Sequence, residues 1–333
     1  MADTVDLRVA FWNAWLLAPR FWSNGPPLPG GDKFFAPDVA ERAPEVGHAL
    51  AGRFDVVAMS EVFEPSEQQG VVGGWPGAEL VPGPPRKGLK LTGSGLATLV
   101  DQARARVTFV ARHAYRSGGD LRDSDTFATK GALLTTIEVD PAFPSVDLVS
   151  THLFAGGDLF PIPGHDDQRR HHAARMRQVD ELVRFVEDEH DPGHVLLIVG
   201  DFNVQAYDRD PQAADPTGDH RDLVAHLEPL GLTDVWAAHG IGPGPTCTFP
   251  TADRLPPDPD KPDAVLDDPE GPVLDPPSER IDYLWLQVPD GVQVDVGRPR
   301  RWAFPGRSVR GGPGGSLSDH LALSTTLTLL RPT

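Results

Sequence analysis

The sequence holds a single cysteine, Cys247. That excludes an internal disulfide and any metal centre built from several thiolates. No apolar run approaches the roughly 18 residues that a membrane helix needs. There is no Gly-x-Ser-x-Gly nucleophile turn, no internal repeat and no heptad pattern. Positive charge is also short: 30 Lys and Arg stand against 48 Asp and Glu, a formal net charge of −18. So acidic a surface repels a polyphosphate backbone, which disfavours nucleic acid as a partner. The opening stretch, MADTVDLRVAFWNAW, lacks the basic and apolar regions of a signal peptide. A cytoplasmic protein is the expectation, or a secreted one if the sequence is a trimmed mature form.

Gly and Pro are plentiful, at 34 and 35 residues, so long irregular loops on a compact scaffold are expected. The 333 residues suffice for one large domain or two. Residues 251–279 are rich in Pro and Asp and carry little that could form a core, which reads as an exposed insertion.

The most informative stretch is Val195 to Val204, VLLIVGDFNV. Its unbroken apolar run suits a strand buried on both faces, ending on Asp201 and Asn203. If the chain stays extended, these two side chains share a side and offer a carboxylate and an amide. An Asx turn closing the strand is the alternative. Other strands repeat the pattern. Val5 to Ala14 alternates and ends on Asn13; Phe54 to Ser60 delivers Glu61; Val146 to Ser150 ends on Thr151-His152. Ile281 to Val288 begins with Asp282 just inside, and Asp319-His320 opens the strand Leu321 to Leu329. Leu96 to Val100, Val107 to Arg112 and Ala132 to Val139 also read as strands. Helices are expected over Asp167 to His190 and Asp219 to Leu230, and after a capping-box pair, Asp38 and Glu41. Gly70 to Gly95 reads mostly as loop.

These strand ends supply oxygen ligands, two histidines and an amide. The inventory suits water attacking a phosphoryl centre beside a hard divalent cation, and suits acyl transfer poorly. In chain order, FWNAW, SEVF, STHL, GDFN, RIDYLW and SDHLAL resemble the motifs of the endonuclease/exonuclease/phosphatase superfamily, the DNase I-like metal phosphoesterases. They run from residue 11 to 323, nearly the whole chain. DSDTFATKG and STHLFAGG are further similar to segments of neutral, Mg²⁺-dependent sphingomyelinases of phospholipase C type.

The resemblance implies one catalytic domain over residues 1–333 with an α/β (α+β) fold: a four-layer sandwich of two packed, mainly antiparallel β-sheets flanked by helices. It implies Glu61 as principal Mg²⁺ ligand, with Asn13 and Asp319 assisting and Mn²⁺ or Ca²⁺ as substitutes. His320 becomes the general base, oriented by Asp319 or Asp282. His152 and Asn203 would stabilise the phosphoryl transition state, Asp201 would position water or a second metal, and Lys130 would meet substrate. The expected reaction releases a phospholipid headgroup. A soluble inositol- or sugar-phosphate hydrolase is the alternative, and an inactive binding module on the same fold is the alternative of another class. A monomer is expected, with transient contact to a membrane surface. The basic, aromatic run Arg298 to Gly315, with Arg301, Trp302 and Arg307, is expected to overhang the site and grip an anionic or interfacial substrate.

Overall fold

The structure is a computed structural model that describes residues 3–18, 36, 38–88, 90–118, 123, 128–156, 167–207, 215–247, 279–306 and 315–331. Residues 251–278 of the Pro/Asp-rich insertion, Arg307 and Arg310 lie outside the described residues.

The strands are β1 (Thr4–Leu16), β2 (Val56–Val62), β3 (Ala78–Pro82), β4 (Ala97–Asp101), β5 (Arg106–Ala114), β6 (Gly131–Glu138), β7 (Val146–His152), β8 (Val195–Asp201), β9 (Thr233–Asp234), β10 (Asp282–Gln287), β11 (Val294–Val296), β12 (Arg300–Trp302), β13 (Pro305–Gly306), β14 (Gly315–Ser316) and β15 (Ala322–Leu330). The helices are α1 (Val39–Leu50), α2 (Pro65–Gly74), α3 (Asp167–Glu189), α4 (Gly218–Leu227) and α5 (Val235–His239).

One sheet runs β11-β15-β1-β2-β4-β3, with β12 also on β15; the other runs β5-β6-β7-β8-β10-β9. Each has one parallel pair, β1 with β2 and β7 with β8, in an otherwise antiparallel ladder. Strand periodicity builds the layers. Leu7, Val9 and Phe11 of β1 meet Leu148, Leu197, Val199 and Leu284 from the other sheet in a shared core. The alternate residues Ala10, Trp12 and Ala14 pack outward against α1 and α2. On the far side, Val149, Leu196 and Ile198 pack against Val179, Leu182 and Val186 of α3 and Leu223 of α4. The result is helix, sheet, sheet, helix. Every residue of β8 is buried, which is why its apolar run is unbroken rather than alternating.

Two expectations change. The stretch read as loop from Gly70 onwards contains the end of α2 and all of β3. A side chain on Gly47 of α1 would lie 2.0 Å from the Val71 carbonyl oxygen, and one on Gly74 would lie 2.0 Å from that of Pro44. These glycines let two helices touch backbone to backbone; they do not mark a loop. The capping box is also elsewhere. Asp38 is left-handed, φ 49, with no side-chain cap, whereas Glu64 and Glu67 form the reciprocal pair at the start of α2.

Candidate active site

Strand register assembles half of the site. His152 lies opposite Asp201 in the parallel β7–β8 pair, and Asp201 lies opposite Asp282 in the antiparallel β8–β10 pair. Gly131, just after Lys130, lies opposite His152. Lys130, His152, Asp201 and Asp282 therefore form a row across one sheet mouth. From the other sheet, β1 and β2 bring Asn13 opposite Ser60, beside Glu61. The β1–β2 register slips between Asn13 and Leu16, an irregularity that re-aims side chains at a strand end. Trp15, Glu61 and Asn203 all adopt positive φ, at 49°, 61° and 51°. Residues other than glycine rarely sit there, and such positions concentrate at functional sites.

Asn13 joins the two halves. Its Nδ2 donates to Glu61 Oε1 and to Asp201 Oδ2, both at 3.1 Å. Its Oδ1 accepts the Trp15 N–H at 3.1 Å. The expected oxygen ligand thus sits in the cluster as a donor, because the amide turns its NH₂ towards two carboxylates. Asn203 also differs from expectation. The chain does not stay extended: the Asn203 N–H donates to Asp201 Oδ1 at 3.0 Å, an Asx turn, and its Nδ2 donates to the Leu153 carbonyl at 3.1 Å. That turn fixes the Asp201 rotamer.

His320 is held by Asp282, not Asp319. Its Nδ1 is 2.8 Å from Asp282 Oδ2, and its Nε2 lies 3.8 Å from Asp201 Oδ2. Ser318 Oγ donates to the Asn13 carbonyl at 2.6 Å and accepts the His320 N–H at 3.0 Å, tying the loop before β15 to the end of β1. The Asp282 N–H donates to Thr246 Oγ1 at 3.2 Å. Ligand atoms of Asp201, Asp282 and His320 all lie within 4.8 Å of one another.

Charge is unbalanced here. Burial and then the Asp319 carboxylate push Glu61 up. Burial and then Asp282 raise Asp201 to about 7. Burial also raises Asp319. For His320, burial disfavours the imidazolium, but Asp282 outweighs it and the pKa sits well above the ordinary histidine value. Burial, then Lys130 and His320, hold His152 well below its ordinary value, so it is neutral. His152 Nδ1 and Asp282 Oδ1 are buried with no hydrogen-bond partner among the described residues. Both are costly to leave so unless a ligand completes them.

Three neighbours escaped the sequence reading. Arg42 of α1, fully buried, donates to the carbonyls of Ala14, Trp15 and Leu317 and so clamps the chain beyond both Asn13 and β14. Burial lowers its pKa to about 10, against the pull of Asp319, Asp38 and Glu61. Ser318 and Cys247 complete the set, the Cys247 sulfur lying within hydrogen-bonding reach of His320. Nothing local marks a buried arginine in a helix stripe as part of a site.

Arg301 and Trp302 do not overhang the site. They lie in β12, paired with β15. Trp302 packs in the core with Phe54 and Phe304, its Nε1 donating to Ser324 Oγ at 2.7 Å. Arg301 is buried, donates to the Pro245 carbonyl at 2.9 Å and lies over the Trp236 ring. Among the described residues of this run, Arg298 and Arg300 remain exposed.

Residues 11–320 match the endonuclease/exonuclease/phosphatase family, and the chain belongs to it. No curated protein matches by sequence. Among solved structures, the chain is similar to a substituted form of the Staphylococcus aureus beta toxin with bound magnesium ions, at 17% identity and a TM-score of 0.57, covering 96% of this chain and 99% of the other. Sphingomyelinase C from Streptomyces griseocarneus is similar at 17% identity and a TM-score of 0.58, covering 97% and 99%. D. rerio TDP2 complexed with a single-strand DNA product is similar at 14% identity and a TM-score of 0.58, covering 97% and 98%. At these identities the likeness is one of fold.

Proposed function

We propose that this member of the endonuclease/exonuclease/phosphatase family is a divalent-metal-dependent phosphodiesterase that hydrolyses a phospholipid headgroup in the manner of a phospholipase C. The observation that carries the chemistry is the His320–Asp282 pair, held at 2.8 Å against Asp201, with Asn13 linking Asp201 to Glu61. The donor set fits a hard cation such as Mg²⁺, with Mn²⁺ and Ca²⁺ as substitutes: it consists of carboxylate oxygens, and one of them, Asp282 Oδ1, is buried with no partner among the described residues.

Glu61, with Asp319 beside it, would hold the ion. Glu61 keeps part of its surface open, as a cation that retains several waters requires. Of the neighbouring groups, Asp282 Oδ2 and His320 Nδ1 are already paired with each other, which leaves Asp282 Oδ1 open towards the ion. Bound there, the ion supplies Lewis-acid polarisation of a phosphoryl oxygen and a positive charge that takes over the proton-retaining role of the carboxylates.

The chain's own groups do the rest. Asp282 fixes the His320 ring so that Nε2 faces the reacting region; in the neutral form, which the positive charge of a bound cation would favour, Nε2 takes a proton from the attacking water. Asp201 orients that water, steadied by the Asx turn. His152, neutral, is a donor for charge building on the phosphoryl oxygens, and Lys130 adds a fixed positive charge along the same row. Asn203 supports this face by anchoring the Leu153 carbonyl next to His152.

A second reading, a soluble inositol- or sugar-phosphate hydrolase, is favoured by the burial of Arg301 and Trp302, which removes the contact expected with a lipid surface. Release of phosphate and phosphocholine from sphingomyelin, lysophospholipids, inositol phosphates and DNA, run in parallel with and without EDTA, tests both. Metal-dependent turnover of the lipids supports the first reading, and turnover of inositol phosphates alone supports the second. Inactivity on all of them with Mg²⁺, Mn²⁺ or Ca²⁺ present contradicts both.

A further inference from the structure

Asp282 and His320 stand on different sheets: Asp282 opens β10 of one, and His320 precedes β15 of the other. Ladder register fixes Asp282 against Asp201 and His152, and fixes β15 against β1. It does not fix the 2.8 Å contact between Asp282 and His320, because among the described strands no ladder joins β10 to β15. A general base has to be aligned to a fraction of an ångström. Its alignment with Asp282 therefore depends on contacts that pass from one layer to the other.

Thr246 makes such contacts. It is fully buried, in the segment between α5 and the Pro/Asp-rich insertion. Its carbonyl accepts the Leu321 N–H, next to His320, at 2.7 Å. Its Oγ1 accepts the Asp282 N–H at 3.2 Å, and its own N–H donates to the Glu279 carbonyl at 2.8 Å. One residue thus holds the backbone of both sheets, on the two sides of the pair. Cys247 extends the contact, bridging Glu279 and His320 in antiparallel fashion, with its sulfur within hydrogen-bonding reach of the imidazole.

The segment is itself held firmly. Trp236 of α5 donates its Nε1 proton to the Gly242 carbonyl at 3.0 Å. Gly244 sits at φ 66, and a side chain there would lie 2.2 Å from the Trp236 indole, so glycine is needed for the close approach. Arg301 lies over the other contact, its guanidinium against the Trp236 ring and its Nη1 donating to the Pro245 carbonyl at 2.9 Å. The arginine expected to grip substrate braces the residue before Thr246.

We propose that Thr246 is a positioning residue for hydrolysis: it staples the two sheets where Asp282 and His320 meet, and so sets where His320 Nε2 reaches into the site. The proposal rests on the phosphodiesterase reading and adds a residue to it. Thr246 acts through the backbone of its neighbours and touches no reacting atom. Its hydroxyl, rather than its shape, carries the effect, which separates the proposal from ordinary packing.

The first arm of the test is proton NMR of the full-length, metal-free protein with labelled histidines. The His320 Nδ1–H bonded to Asp282 gives a downfield signal, identified by its loss in His320→Ala. The His190 Nδ1–H bonded to Asp147 gives another, identified by its loss in His190→Ala, which reports an intact fold. Thr246→Val keeps the shape and removes the acceptor; it shifts or abolishes the first signal and keeps the second. Thr246→Ser keeps the hydroxyl and both signals. Thr246→Ala, which removes the same hydroxyl, replaces Thr246→Val if that variant does not fold. A wild type without the His320 signal, a signal unchanged by loss of the hydroxyl, or an equal change in Thr246→Ser overturns the proposal.

The second arm measures turnover of bis(para-nitrophenyl) phosphate with Mg²⁺. Loss of the hydroxyl lowers kcat about tenfold or more at unchanged KM, as misplacement of a catalytic group entails, and Thr246→Ser recovers most of it. Unchanged kcat without the hydroxyl, or equal losses in Thr246→Val and Thr246→Ser, overturns the proposal. The first arm needs no turnover. An inactive wild type therefore counts against the phosphodiesterase reading, while the histidine signals still decide the staple.

Discussion

The same strand, β7, carries an Asp–His cluster at each end, and the two are opposites. At its start, buried Asp147 is 2.8 Å from His190 Nδ1 and 3.1 Å from His194 Nδ1, and it accepts from Thr136 Oγ1 at 2.6 Å and the Asp191 N–H at 3.1 Å. Burial works against the Asp147 carboxylate, yet these bonds outweigh it and its pKa is lowered. At the other end, Glu61, Asp201 and Asp319 are raised, and polar atoms of His152 and Asp282 have no partner among the described residues. Residue types and burial are alike. What differs is whether the protein completes its own hydrogen bonding. The first cluster is finished by the fold; on the function proposed above, a cation and a substrate finish the second.

Breaking each cluster should have a different consequence. His320→Ala should cost at least ~10²-fold in rate with little change in melting temperature; near-wild-type turnover would remove the general-base assignment. Asp147→Asn should do the reverse. It should lose about 2–3 kcal/mol of stability as hydrogen bonds to a charged, buried group are weakened, with kcat unchanged, as denaturant titration and a parallel assay would show.

The clusters also answer acid oppositely in the metal-free protein. Asp147, lowered in the folded state, adds stability above the unfolded carboxylate pKa of ~3.9 and loses it as pH falls through its folded value. Asp201, raised to about 7, favours the folded state most below ~3.9 and loses that contribution as pH rises towards 7. Asp201→Asn should therefore flatten the fall in melting temperature between pH 4 and 7, and Asp147→Asn should leave that fall in place. Smallest of all, Arg300→Glu, at an exposed position, should stay within about 0.5 kcal/mol of wild type in stability and leave vesicle turnover unchanged. A large loss of turnover would restore the basic run as a substrate contact.

The layered fold and the strand ends that converge on one cluster were legible because period-2 patterning and apolar runs report burial directly. Asn13, Glu61, His152, Asp201, Asp282 and His320 each stand where a buried strand meets solvent, and register then brings them together. What escaped depends on contacts distant in sequence. Gly74 looked like a loop glycine because the partner helix that needs its bare Cα is invisible locally. Arg301 and Trp302 looked like a surface grip because a basic, aromatic run has the same composition whether it overhangs a site or forms a strand of the sheet. The choice of Asp282 over Asp319 as the partner of His320, which the motifs leave open, is a matter of which strand lies alongside.

Calorimetric titration of Mg²⁺ into the metal-free protein tests the central claim most directly, with Glu61→Gln/Asp201→Asn and Asp147→Asn as paired variants. A binding event present in wild type and in Asp147→Asn but abolished in Glu61→Gln/Asp201→Asn is the predicted result. Binding that survives Glu61→Gln/Asp201→Asn, or that is absent from wild type, would contradict the account.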